Sequence, residues 1–98
     1  MAQSSSVACV ATSSPARYMG QLCKHFAHKV PAGFDADSGH IDFPFGRCEL
    51  AAGQDLLVIC VSAENDEDLA RMEDVIARHL ARFAFRAPPE IVWQRDEG

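Results

Sequence analysis

Eight consecutive residues, Leu22-Cys23-Lys24-His25-Phe26-Ala27-His28-Lys29, hold two of the chain's four histidines, one of its four cysteines and two of its nine lysines and arginines. Thiolate and imidazole are preferred ligands of zinc and related metals, so Cys23, His25 and His28 suggest a metal site. The lysines and imidazoles suggest instead an anion platform built on charge-assisted hydrogen bonds. The plainer alternative is a solvated helix face above a packed apolar seam.

Helix geometry separates these readings. At about 100° per residue, Met19, Leu22, Cys23, Phe26 and Val30 fall on one apolar arc, with Arg17, Gln21, Lys24 and His28 roughly opposite. Cys23 and His25 then diverge by about 160° and cannot ligate one ion from an intact helix. Cys23 is expected in the core, as free cysteine commonly is. His25 and His28, three residues apart, can still share a side and meet one metal, with a third ligand from elsewhere, for which Asp42 and His40 are the candidates. Arg17, Lys24, His25, His28 and Lys29 together collect positive charge in a chain of net charge -5. They form the candidate ligand-binding set for an acidic partner, a phosphate or a carboxylate-rich iron chelate.

His79 shares an arc with Met72, Val75 and Phe83 on a second helix, so it is expected to point toward the sheet. A buried ring needs a partner, since an unsatisfied polar group costs about 1–3 kcal/mol. A backbone carbonyl or a side chain should therefore accept its proton. No nucleophile-elbow, glycine-rich phosphate loop or His-Glu-x-x-His motif is present, so no catalytic residue is assigned.

These side chains must be positioned by a short series of elements. Residues 7–12 make a short run, rich in β-branched side chains and bounded by serines, as a first strand would be. Ser14 as N-cap and Pro15 at the first helical position open a helix running to about Val30, where Pro31 stops it. Ile41, Phe43 and Phe45 alternate with His40, Asp42 and Pro44, which indicates a strand that is bulged or at an edge near Pro44. Residues 47–50 continue it, a turn follows at 51–55, and residues 56–61, apolar on both faces, suit a central strand. Asn65 caps a second helix whose Leu69, Met72, Ile76, Leu80 and Phe83 make one stripe, with Asp66, Glu67 and Asp68 at its positive end. Arg86-Ala87-Pro88-Pro89 ends it, and residues 90–93 form a last strand. The order β-α-β-β-β-α-β predicts an α+β two-layer sandwich, a largely antiparallel sheet with both helices on one face. The other face would be open, with Trp93 as a candidate occupant and a homodimer as its candidate use.

Ninety-eight residues suit a single domain, here with an ordered core over about 7–94. The acidic balance argues against a nucleic-acid partner, which needs a basic surface. No run reaches the roughly 18 apolar residues of a membrane helix, and the start carries no signal-peptide pattern. A cytoplasmic protein with reduced thiols is expected.

Arg17-Tyr18, the segment at 22–29, Ile41-Asp42-Phe43-Pro44-Phe45-Gly46-Arg47-Cys48, the segment at 79–86 and Trp93 together resemble a small bacterial family known as domain of unknown function 2218. The resemblance spans about residues 7–94. It implies a two-layer sandwich of the TATA-binding-protein type. Some family members are fused to siderophore-interacting flavin reductases, which implies an association with iron handling but no mechanism. The expected function is a non-enzymatic binding or accessory module for a ferric siderophore or its reductase, using the basic first-helix face. The competing expectation is a metal-dependent or acid/base enzyme using His25, His28 or His79 with Asp42. No cofactor is indicated.

Overall fold

A computed structural model of the chain describes residues 4–83 and 91–96. Eight elements follow in order: β1 (Ser4–Ala11), α1 (Pro15–Phe26), β2 (Ala32–Phe34), β3 (Ser38–Phe43), β4 (Gly46–Gly53), β5 (Leu56–Ala63), α2 (Asp66–Phe83) and β6 (Trp93–Asp96). The strands form one sheet in the order β2-β3-β4-β5-β1-β6, and each neighbouring pair is antiparallel.

Strict alternation sets the two faces of the sheet. Along β1, Ser6, Ala8 and Val10 are buried while Val7, Cys9 and Ala11 are exposed; along β4, Cys48 and Leu50 are buried between exposed Arg47 and Glu49. Register carries the pattern across strands, with Ala8 opposite Ile59 and Ile59 opposite Leu50. Against this inner face lie Met19, Leu22, Cys23 and Phe26 of α1 and Leu69, Met72, Ile76 and Leu80 of α2, all buried in one cluster. The two expected helical stripes therefore form the core together, and the expected α+β sandwich is the observed fold.

The meander differs from expectation in detail. It contains four strands, because Ala32–Phe34 pairs with residues 39–41 as a short edge strand. Three residues including a glycine are too few to produce a readable period. Pro44 and Phe45 are not in a strand: they form the turn between β3 and β4, where the missing proline N–H leaves no ladder bond unmade. The turn before β5 narrows to Gln54 and Asp55, with Asp55 at φ 55°, a left-handed conformation that Asp tolerates.

Helix α1 ends at Phe26, four residues before the expected limit. The Ala27 and Val30 amides donate to the carbonyls of Cys23 and Phe26, both at 2.9 Å, and carry the turn onward to Pro31. Ser14 holds the N-cap position, but its hydroxyl makes no capping bond; its own amide donates to Thr12 Oγ1 at 3.1 Å. The second cap is as expected, with the Asp68 amide donating to Asn65 Oδ1 at 2.8 Å. Trp93 is not on the open face. It stands opposite Ala8, shares that residue's inner side and packs on the core. The last strand lies later than the expected 90–93: Ile91 and Val92 precede it and it runs Trp93–Asp96, while the expected helix stop at 86–89, Glu90 and the Phe83 side chain lie outside the described residues. No described helix is long and apolar enough to cross a membrane.

Candidate functional site

The basic face of α1 divides in two. Arg17 and Lys24 are exposed and, seven residues apart, nearly align along the helix. Lys24 leans toward the sheet edge, its Nζ 5.9 Å from the Phe34 ring centroid. His25 turns the other way, toward α2, where its ring lies 4.9 Å from that of His79 at a 45° tilt. Phe26 braces both imidazoles, edge-on to His25 at 5.0 Å and 4.7 Å from His79.

This arrangement grows from the helix cores. Phe26 is the last buried residue of α1 and packs edge-on against Phe43 at 5.0 Å. Phe43 in turn meets Phe45 at 5.5 Å, and the Arg71 guanidinium sits 4.2 Å above Phe45. An aromatic seam thus joins the segments at 22–29 and 43–46 to α2. His79 is half-buried, and its Nδ1 lies 2.7 Å from the Val75 carbonyl. A carbonyl only accepts, so Nδ1 donates, as expected for a structural histidine, and Nε2 of the neutral ring keeps its lone pair.

Positive charge collects around His25. Its pKa is lowered first by partial desolvation, then by His79, Lys29, Arg82 and His28. The sign for stability follows: the unfolded chain binds this proton more readily, so stability falls as pH drops below about 6.5. Thermal melting should accordingly give a lower Tm at pH 5.5 than at pH 7.5, and His25→Gln should reduce that difference. An unchanged difference in the variant would remove His25 as its source.

The cations elsewhere are neutralised. Arg47 pairs with Asp42 at 2.7 Å, Arg71 with Asp68 at 3.4 Å, Arg78 with Asp74 at 3.0 Å and Arg95 with Glu73 at 3.0 Å. Among the described residues, Arg17, Lys24, Lys29 and Arg82 make no such pair, and all four lie on α1, just after it, or at the adjoining end of α2. Lys24, His25 and Arg82 also fall in the last turns of their helices, where the helix dipole favours positive charge.

The other candidates fare differently. Cys23 is 1% exposed and its thiol is pushed up by burial, against a weaker lowering from the hydrogen bond to the His40 carbonyl. It is core, as expected. His28 lies beyond the helix end in the turn over residues 27–29, and its influence on His25 is the smallest of those named. His40 and Asp42 flank buried Ile41 and stand opposite Glu49 and Arg47. They face away from the helices, so the sheet separates them from His25 and His28, and neither can complete a site there. The same separation removes Asp42 as an acid/base partner for the histidines. Among the described residues, no group of three His, Cys, Asp or Glu side chains is placed to hold a metal.

Arg82 and the pairing of His25 with His79 are the parts that spacing does not reveal. Arg82 does stand three residues after His79, a helical neighbour that charge patterning along α2 could have flagged. On the far face a depression of about 510 Å³ is lined by Gly33, His40, Arg47 and Glu49 among others, but Arg47 there is already bonded to Asp42 and Glu49.

Residues 7–94 match the family described as uncharacterized protein conserved in bacteria (DUF2218). The chain is also similar to a solved structure, the NMR structure of PA4090 from Pseudomonas aeruginosa, with 38% identity, 96% of each chain covered and a TM-score of 0.74. No curated protein matches.

Proposed function

The chain belongs to the bacterial DUF2218 family of uncharacterized proteins, and we propose that it is a non-enzymatic binding module whose ligand is a carboxylate-rich anion. The observation that carries this reading is the contrast in charge pairing. Four described cations are matched by carboxylates, whereas, among the described residues, Arg17 and Lys24 along the exposed side of α1 and Lys29 and Arg82 at the end where α1 meets α2 make no such pair. In a chain of net charge -5, such a patch draws an acidic ligand selectively against the repulsion of the whole. Lys24 and Lys29 supply rotatable ammonium donors, and Arg82 supplies a planar fork suited to carboxylate.

The fusion of some relatives to siderophore-interacting flavin reductases, which the resemblance implies, supports a ferric siderophore as the occupant, and the unpaired cations favour one of the carboxylate type. His25 and His28 add donors when protonated. Calorimetric titration of the protein with a ferric carboxylate siderophore should give saturable binding that weakens as salt rises from about 0.05 to 0.5 M, because exposed charge pairs are screened. Absence of heat at low salt, or affinity indifferent to salt, would count against the reading.

A further inference from the structure

We propose that His25 and His79 form a two-nitrogen site that ligates the metal of an anionic metal chelate, while Lys29 and Arg82 hold its carboxylates. This rests on the anion-binding reading above and specifies the ligand class. With metal–nitrogen bonds of about 2.0–2.1 Å and near-tetrahedral or octahedral angles, two imidazole centroids on one ion stand roughly 4.5–5.3 Å apart. The His25 and His79 centroids are 4.9 Å apart.

The surrounding groups fit that role. His79 donates from Nδ1 to the Val75 carbonyl at 2.7 Å, the outer-shell bond that orients a ligating histidine and leaves Nε2 for the metal. Phe26 touches both rings and fixes their relation. His25 carries two ring nitrogens, so a hydrogen bond at one leaves the other able to ligate.

Two further facts select a chelate over a bare ion. Among the described residues no third His, Cys, Asp or Glu completes a site, and two nitrogens alone hold a divalent ion weakly. Lys29 follows His25 by four residues and Arg82 follows His79 by three at the end of α2, so both set positive charge beside the pair, and that charge opposes a bare dication. A carboxylate chelate removes both difficulties. It brings most of its own ligands, carries net negative charge, and can leave two adjacent coordination positions for imidazole. Imidazole suits copper, nickel, zinc and iron.

The probe is copper(II) nitrilotriacetate, an anionic complex with open positions, added to protein lacking any histidine tag and followed by electron paramagnetic resonance. The expected result is one complex per chain with the nitrogen signature of imidazole ligation. His25→Gln and His79→Gln should each weaken binding at least tenfold, and His40→Gln, on the opposite face of the sheet, should leave it unchanged. His25 is exposed, so its variant remains informative if His79→Gln perturbs the fold. Binding without imidazole ligation, or binding indifferent to both His25→Gln and His79→Gln, overturns the proposal. Metal-free citrate separates the two claims. If citrate binds and copper nitrilotriacetate shows no imidazole signature, the metal site fails and the anion platform stands. If the nitrogen signature persists undiminished in Lys24→Glu/Lys29→Glu protein, the histidine pair stands and the platform fails.

Discussion

Gly46→Ala is expected to destabilise the protein by about 3 kcal/mol, near the upper end of overpacking costs. A Cβ on Gly46 would stand 2.5 Å from the Ser62 carbonyl oxygen and 2.9 and 3.0 Å from Met72 Cγ and Sδ. Met72 is fully buried in the core, and Ser62 belongs to β5, held on both sides by β1 and β4. Neither neighbour can retreat without disturbing the ladder or the packing beneath α2. The requirement here is for space, since Gly46 does not adopt a positive φ. Urea unfolding measures the effect as a shift in midpoint at unchanged m-value. A loss below about 0.5 kcal/mol, the range of ordinary surface changes, would mean that the β3–β4 turn is less tightly seated than the structure has it.

The second large effect is Phe26→Ala, with an expected loss of about 3–5 kcal/mol, as for a buried phenylalanine cut back to a methyl group. Phe26 is only 6% exposed and meets Phe43, His25 and His79 at ring distances of 4.7–5.0 Å. Its removal opens a cavity where α1, α2 and the end of β3 meet. Phe26→Leu should recover more than half of the loss while leaving the two imidazoles less well held. The stability part is read by denaturation, and the positioning part by histidine ring resonances, which should broaden or shift for His25 and His79 and stay put for His40 on the opposite face. A stability change under about 1 kcal/mol would show that the seam does not hold the helices together.

The fold was legible wherever a period ran long enough. Leu69, Met72, Ile76 and Leu80 repeat over most of an 18-residue helix, and burial follows the stripe. Met19, Leu22, Cys23 and Phe26 do the same on α1, which is why Cys23 could be assigned to the core against the attraction of a metal motif. Asn65 as a cap was readable because its chemistry is local. The errors lie where local pattern and tertiary pairing disagree. Phe45 continues the alternation of Ile41 and Phe43, yet it sits in a turn, where it is half-buried against the Phe43 ring and under the Arg71 guanidinium without a partner in the ladder. Trp93 has no sequence neighbour to declare its face; the register opposite Ala8 decides it.

The site was legible only in part for the same reason. Wheel geometry freed Lys24, His25, His28 and Lys29 from the core, but it treated α1 as an isolated helix. The approach of α2 splits that face, turning His25 toward His79 and Arg82 and leaving Lys24 beside Phe34. His79 illustrates the limit. Its bond to Val75 lies one turn away on its own helix and was foreseeable in kind, whereas its contact with His25 depends on helices distant in sequence.

The most direct test of an anion-binding surface on α1 compares wild-type protein with Lys24→Glu/Lys29→Glu protein in calorimetric titration by a ferric carboxylate siderophore at low salt. Both side chains are exposed and outside any described ion pair, so the double variant should melt within a few degrees of the wild type, as surface substitutions do. Its affinity should fall at least tenfold, about 1.4 kcal/mol or more. Equal affinity in the two proteins would contradict the assignment of this surface.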